Sequence, residues 1–177
     1  MQYTSTYQSP VGELLLACDK IGLTGLWMEG GKFYARGLDG DCEARETPVF
    51  AQAKRWLDVY FSGREPDFMP HVHMRGSPFQ RCVWELLRQI PYGRTTTYGE
   101  LAKRLASDRG LPQMSAQAVG GAVARNPIAI LIPCHRVVGA SGSLTGYAGG
   151  VDKKLRLLRL EGADVSGLFV PARGTAL

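Results

Sequence analysis

Nothing in this 177-residue sequence is apolar for long enough to cross a bilayer. The best apolar run of the N-terminus, Leu14 to Cys18, falls far short of the ~20 residues a spanning helix needs. A basic stretch leading into an apolar one, the mark of a secretory signal, is also missing from the N-terminus, so a cytoplasmic protein with no membrane partner is expected. Cysteine is scarce as well. The four present, Cys18, Cys42, Cys82 and Cys134, are irregularly spaced and form no Cys-x-x-Cys pair, which argues against both a disulfide framework and a zinc finger. At least one is then available as a working thiol. Cys18 lies in a strand-like run and His71 and His73 have no clear set of partners, so neither metal nor cofactor is expected. Internal repeats and low-complexity tracts are missing too, and with 45% apolar residues the chain reads as one large or two small globular domains.

Acidic charge is what the C-terminal part has little of. Residues 1–74 carry 7 Lys/Arg against 10 Asp/Glu, net −3, whereas residues 75–177 carry 14 against 6, net +8. Such asymmetry is a cue for a polyanion such as nucleic acid, although a solvated surface explains an excess of this size equally well.

The two parts also differ in periodicity. Gln2 to Tyr7 alternates, Ser9-Pro10-Val11-Gly12 is a turn signal, and apolar runs follow at Leu14 to Ala17 and Leu23 to Met28, which predicts an antiparallel meander. Thr47-Pro48 resembles an N-cap and first helical residue, and Phe50, Ala53, Trp56, Leu57 and Tyr60 recur at helical spacing up to Gly63. The Gly-, Pro- and charge-rich segment from Ser62 to Pro70 leads to a boundary, placed between an N-terminal α/β domain (1–74) and a mainly helical C-terminal domain (75–177).

In the second part Ser77-Pro78-Phe79-Gln80 and Thr97-Tyr98-Gly99-Glu100 match capping boxes, so two helices start there. Phe79, Cys82, Val83, Leu86 and Leu87 form a helical stripe that makes Cys82 a core residue. A third helix is expected from about Ser115 to Asn126-Pro127, and with the second it resembles a helix-turn-helix. At ~100° per residue Val119, Ala122 and Val123 face inward, leaving Gln117, Gly121 and Ala124, flanked by Gly120, on a nearly bare outer face. Small residues of this kind serve either a close helix–helix contact or a narrow groove. A helix with ordinary side chains is ~10–12 Å wide and the B-DNA minor groove only ~6 Å, so minor-groove docking is expected.

Ile128-Ala129-Ile130-Leu131-Ile132 is a short continuous apolar run, which suits a buried strand, and it delivers Pro133-Cys134-His135-Arg136-Val137. A cysteine after a strand is more often inert core than nucleophile, but the polar pair that follows marks a chain emerging into a polar site. Only a few per cent of a free cysteine is thiolate at neutral pH unless a base or a positive charge assists, and His135 is the one histidine of the basic half. Glu161 closes the apparent helix Val151 to Glu161, where the helix dipole disfavours a carboxylate. Bonding to a histidine would compensate and would orient it as the base of a nucleophile–base–orienter set; a frayed, solvated glutamate is the alternative.

Pro133-Cys134-His135-Arg136-Val137, with Ala118-Val119-Gly120-Gly121 and Asn126-Pro127 upstream and Gly146-Tyr147-Ala148-Gly149-Gly150 and Leu160-Glu161-Gly162 downstream, resembles the O6-alkylguanine-DNA alkyltransferases over about residues 79–162. The resemblance implies an α/β protein with a ribonuclease H-like N-terminal domain and a winged-helix-like C-terminal one. It also implies duplex DNA containing O6-alkylguanine as partner, bound by a protein that is monomeric off DNA, flips the damaged base into a pocket and transfers the alkyl group irreversibly to itself. On that basis Cys134 is the nucleophile, and His135, oriented by Glu161, takes its proton through a bound water. Tyr98 donates a hydrogen bond to the leaving guanine, Asn126 braces the turn before the motif, and Tyr147, Ala148 and Gly149 form the lip of the base pocket. Ala116, Gln117, Gly120, Gly121, Arg125 and Arg136 are the implied DNA contacts. Two features depart from the family pattern. Gln117 stands where an arginine commonly fills the gap left by the flipped base, and the linker from Ser107 to Met114, with Arg109, is longer than the usual turn.

Other readings stay open here. A cysteine hydrolase uses the same residue types but would turn over, and no protease signature surrounds Cys134. A noncatalytic sensor of alkylated DNA would have replaced the cysteine. An alkylation-responsive regulator would need further zinc-binding and DNA-binding modules for which the chain has no room.

Overall fold

The computed structural model describes residues 1–172, and the chain divides into two units. Unit 1 comprises Met1–Arg75 together with Pro127–Leu131; unit 2 comprises Gly76–Asn126 and the chain from Ile132 onward.

Unit 1 is built on a four-stranded sheet in the order β3-β2-β1-β4. β1 (Tyr3–Ser9), β2 (Gly12–Cys18) and β3 (Leu23–Met28) form the expected antiparallel meander, and the short β4 (Glu43–Ala44) pairs parallel with β1. The turn between β1 and β2 requires Gly12 at φ 106, a conformation side chains disfavour. α1 (Pro48–Phe61) starts where Thr47 accepts the Phe50 N–H. Its buried residues are Phe50, Ala53, Trp56, Leu57 and Tyr60, the predicted stripe.

Among its described residues unit 2 holds four α-helices. α2 (Pro78–Leu87) and α3 (Tyr98–Asp108) each begin with a complete reciprocal capping box, Ser77 with Gln80 and Thr97 with Glu100. α4 (Ala116–Ala124) is capped by Ser115, and α5 (Val151–Leu160) ends at Glu161. β5 (Thr96–Thr97) and β6 (Val137–Val138) form a short parallel ladder. That ladder places Tyr98, the first residue of α3, beside the chain that has just left the Cys134–Arg136 turn. Among the described residues no helix is long and apolar enough to cross a membrane.

Three expectations are corrected. The apolar run 128–132 is no strand: only Ile128 makes a bridge, to Leu26, and the rest turns. Ile130 sits at φ 69 with the Leu131 N–H on the Ala129 carbonyl, a γ-turn, and Pro133 at φ −81, ψ 64 makes another beneath the Cys134 N–H. A β-branched residue in the left-handed region costs on the order of 1–3 kcal/mol, offset here by complete burial of its side chain. Cys82 is exposed, because α2 is rotated to bury Trp84, whose indole N–H reaches the Ala122 carbonyl of α4 at 2.9 Å. On α4, Gly120 and Ala124 are buried rather than outward. α2 and α3 both pack on this helix, and the exposed residues are Ala116, Gln117 and Ala118, with Gly121 half-buried and Arg125 at the C-cap.

Candidate functional site

Cys134, His135 and Arg136 form one turn of 3₁₀ helix, all three buried. A tight turn splays successive side chains, so Cys134 meets Asn126 while His135 and Arg136 both reach Glu161. The Asn126 amide donates to the Cys134 sulfur at 3.1 Å and to the Ile132 carbonyl at 2.8 Å, which holds the thiol and braces the end of the preceding turn with one side chain. Burial pushes the Cys134 thiol above its ordinary value, and the Asn126 hydrogen bond and the Lys154 charge oppose that rise.

His135 Nε2 lies 2.6 Å from Glu161 Oε1 in a fully buried pair. The carboxylate is further held by Arg136, whose Nε reaches Oε2 at 2.9 Å and Nη2 reaches Oε1 at 3.0 Å, and by the Gly93 N–H at 3.2 Å. Burial alone would raise the Glu161 carboxyl, but the hydrogen bonds of His135 and Arg136 and the Arg136 charge outweigh it and bring the pKa down to about 2. His135 is pushed the other way: burial lowers it despite Glu161, so its ring is neutral at pH 7 and has a nitrogen able to take a proton. The predicted His135–Glu161 pairing is thus present. A fork-shaped guanidinium on one side and a neutral imidazole on the other compensate the carboxylate at the end of α5.

Arg136 is therefore not placed as expected. Its guanidinium turns inward, with Nη1 on the Ile90 carbonyl at 2.7 Å and the group lying over the Tyr92 ring, and this removes it from the candidate DNA contacts. Gly93 at φ 71 must lack a side chain, since a Cβ would stand 2.9 Å from the Glu161 carbonyl oxygen.

Lys154 is a site residue that sequence reasoning missed. It is completely buried on α5 and donates to the Val137 carbonyl at 2.5 Å and to the Thr145 carbonyl at 3.1 Å. Burial draws its pKa down to about 8 while the charge of Cys134 opposes the fall, so it remains largely protonated at neutral pH. The available signal was a lysine in phase with the buried Leu157 and Leu158. Tyr98, mostly buried, donates its hydroxyl to the same Thr145 carbonyl at 3.1 Å. Two donors thus fix the residue that precedes Gly146–Gly149, where Tyr147, Ala148 and Gly149 are each half-buried. Burial and the Cys134 charge raise the hydroxyls of Tyr98 and Tyr147, which leaves both as proton-bearing donors. On α4, Gln117 and Ala116 are exposed, and Arg125 bends back to the Gly121 carbonyl at 2.9 Å with its side chain at the surface. Among the described residues no group of three or more His, Cys, Asp or Glu is placed to hold a metal ion.

Two family models cover most of the chain: the ribonuclease-like domain of 6-O-methylguanine DNA methyltransferase matches residues 2–71, and the DNA binding domain of the same family matches residues 78–163. The chain belongs to the 6-O-methylguanine DNA methyltransferase family. Relatives named methylated-DNA–protein-cysteine methyltransferase include one from Methanosarcina acetivorans, 44% identical over 91% of this chain and 99% of its own, and one from Mycobacterium leprae, 43% identical over 91% and 93%. Among solved structures, that of Mycobacterium tuberculosis OGT in complex with DNA superposes with a TM-score of 0.77 at 39% identity, covering 96% of both chains. The family's two-domain layout is that of the fold described above, an N-terminal sheet domain followed by a mainly helical domain that carries Cys134.

Proposed function

We propose that the protein repairs DNA by direct reversal, taking the alkyl group of O6-alkylguanine onto Cys134 in a single irreversible step. The observation that carries this reading is the buried thiol on the Asn126 amide, one residue from the His135–Glu161 pair, in a chain of this family. His135, neutral and fixed by Glu161, is assigned the thiol proton. Arg136 balances the carboxylate, and Lys154 supplies positive charge that favours the thiolate. The sulfur lone pair forms the new C–S bond as the alkyl C–O6 bond breaks, and its electrons pass to guanine, which leaves as a neutral base on gaining a proton. No step restores the thiol, so one chain repairs one lesion.

Tyr98 is assigned the hydrogen bond to the departing guanine. To give it, the hydroxyl exchanges its Thr145 partner for the base. Tyr147, Ala148 and Gly149 are the proposed pocket lip. DNA is engaged through the stripped face of α4, with Ala116, Gln117 and Gly121 toward the minor groove and Arg125 at the phosphates. The protein is proposed to act as a monomer off DNA and in the cytoplasm.

Intact-protein mass after mixing with an O6-methylguanine duplex tests the assignment. One methyl per chain is expected, and none with Cys134→Ser, which still binds the duplex within a few-fold because the thiol adds little to phosphate contact. Methyl uptake by Cys134→Ser, or more than one lesion repaired per chain, would refute it.

A further inference from the structure

We infer that the segment Val165–Phe169 is a strap that positions the lip of the base pocket, and so governs the rate of transfer without touching substrate; this rests on the alkyl-transfer reading above. The segment follows Glu161-Gly162 after Ala163 and Asp164. Asp164 Oδ1 accepts both the Ser166 N–H and the Ser166 hydroxyl, at 3.0 and 2.7 Å, and the Leu168 N–H donates to the Val165 carbonyl at 3.1 Å, which turns the chain back. It then runs parallel to the loop leading into the lip. The Phe169 N–H donates to the Gly142 carbonyl at 3.1 Å and the Leu144 N–H donates to the Phe169 carbonyl at 2.9 Å, a bridge centred on Ser143. Behind this pair, Val165 and Leu168 pack on a small buried cluster of Val138, Leu144, Leu158 and Ala163.

The contact is close enough to dictate sequence. Gly142 has φ 89, and a Cβ there would stand 2.2 Å from the Gly167 carbonyl oxygen, so a side chain at 142 would push strap and loop apart. Leu144 is followed at once by Thr145, whose carbonyl takes Tyr98 and Lys154, and then by Gly146–Gly149. The strap therefore fixes the lip loop one residue before the active-site donors fix it. A misplacement of about 1 Å at a reacting centre can cost ~10²-fold in rate, so a main-chain anchor this close to the lip has a kinetic effect.

Phe169 offers a clean test because its side chain is 46% exposed and its main chain does the work. Phe169→Pro deletes the N–H that Gly142 accepts, whereas Phe169→Ala keeps both bonds. At saturating O6-methylguanine duplex, Phe169→Pro should transfer at least about tenfold more slowly with unchanged DNA affinity, and Phe169→Ala at the wild-type rate. Ending the chain at Ser166 removes the bridging end of the strap and should give the same loss, which serves if the proline variant does not fold. In the wild-type protein the Leu144 amide should be protected from hydrogen exchange. Wild-type transfer by the shortened or proline chain, an equal loss in Phe169→Ala, a loss that tracks DNA affinity, or an unprotected Leu144 amide would each overturn the strap. Failure of the wild-type protein to take up methyl would instead overturn the reading beneath it.

Discussion

Replacing Glu161 with Gln tests the buried charge cluster on stability and rate together. A carboxyl brought from 4.5 to about 2 contributes roughly 3 kcal/mol to folding at neutral pH. The folded-state value is the lower one, so the unfolded chain takes up the proton first. The contribution is complete above about pH 5 and is lost as pH falls from about 4.5 to about 2. Gln keeps the shape but leaves the Arg136 guanidinium buried without its counter-charge, and breaking such a pair costs about 3–5 kcal/mol. At roughly 2–4 °C per kcal/mol for a chain of this size, the melting temperature at pH 7 should drop by about 6–20 °C. His135 loses the partner that orients it and stabilises its charged form, so transfer at saturating DNA should slow by roughly 10²–10⁴-fold with DNA affinity nearly unchanged. Melting curves from pH 7 down to pH 3 and single-turnover quench measurements read both effects. A melting temperature within about 2 °C of wild type at pH 7, or an unchanged transfer rate, would refute the cluster as described.

Arg136→Met should destabilise to a similar degree, whereas Arg136→Met combined with Glu161→Leu should recover most of the loss, because an apolar pair needs no desolvation; denaturant midpoints of the two singles and the double decide it. Lys154→Met removes the charge that favours the Cys134 thiolate, so the pH midpoint for iodoacetamide alkylation of Cys134 should move upward and alkyl transfer should slow; an unmoved midpoint would count against that role. Gln117→Ala should reduce transfer from duplex DNA more than from a single strand, where no gap has to be filled. If Arg109→Ala alone produces the duplex-specific defect, the linker holds the gap instead, and if neither does, the docking of α4 is wrong.

Local chemistry made α1, α2 and α3 legible from sequence. Thr47-Pro48 and the capping boxes of Ser77 and Thr97 set the helix starts, and the stripe from Phe50 to Tyr60 set the buried face, since each signal lies within a turn or two of the residues it governs. The Cys134-His135-Arg136 motif was equally plain, as was the need for a partner at Glu161. Tertiary structure decided who those partners are. Glu161 draws on His135 and Arg136, 26 and 25 residues away, and on Gly93, 68 residues away, and no periodicity links positions so distant. The same holds for the errors. Arg136 turned inward because a buried carboxylate awaited it, and Cys82 turned outward because Trp84 found the Ala122 carbonyl on another helix. Residues 128–132 turned rather than extended because Leu26 offered them only a single bridge. A sequence fixes what a residue can donate, accept or bury within its own element, but burial of Lys154 and the pairing of Phe169 with Gly142 depend on which distant backbone comes within hydrogen-bonding distance, and only the folded chain sets that.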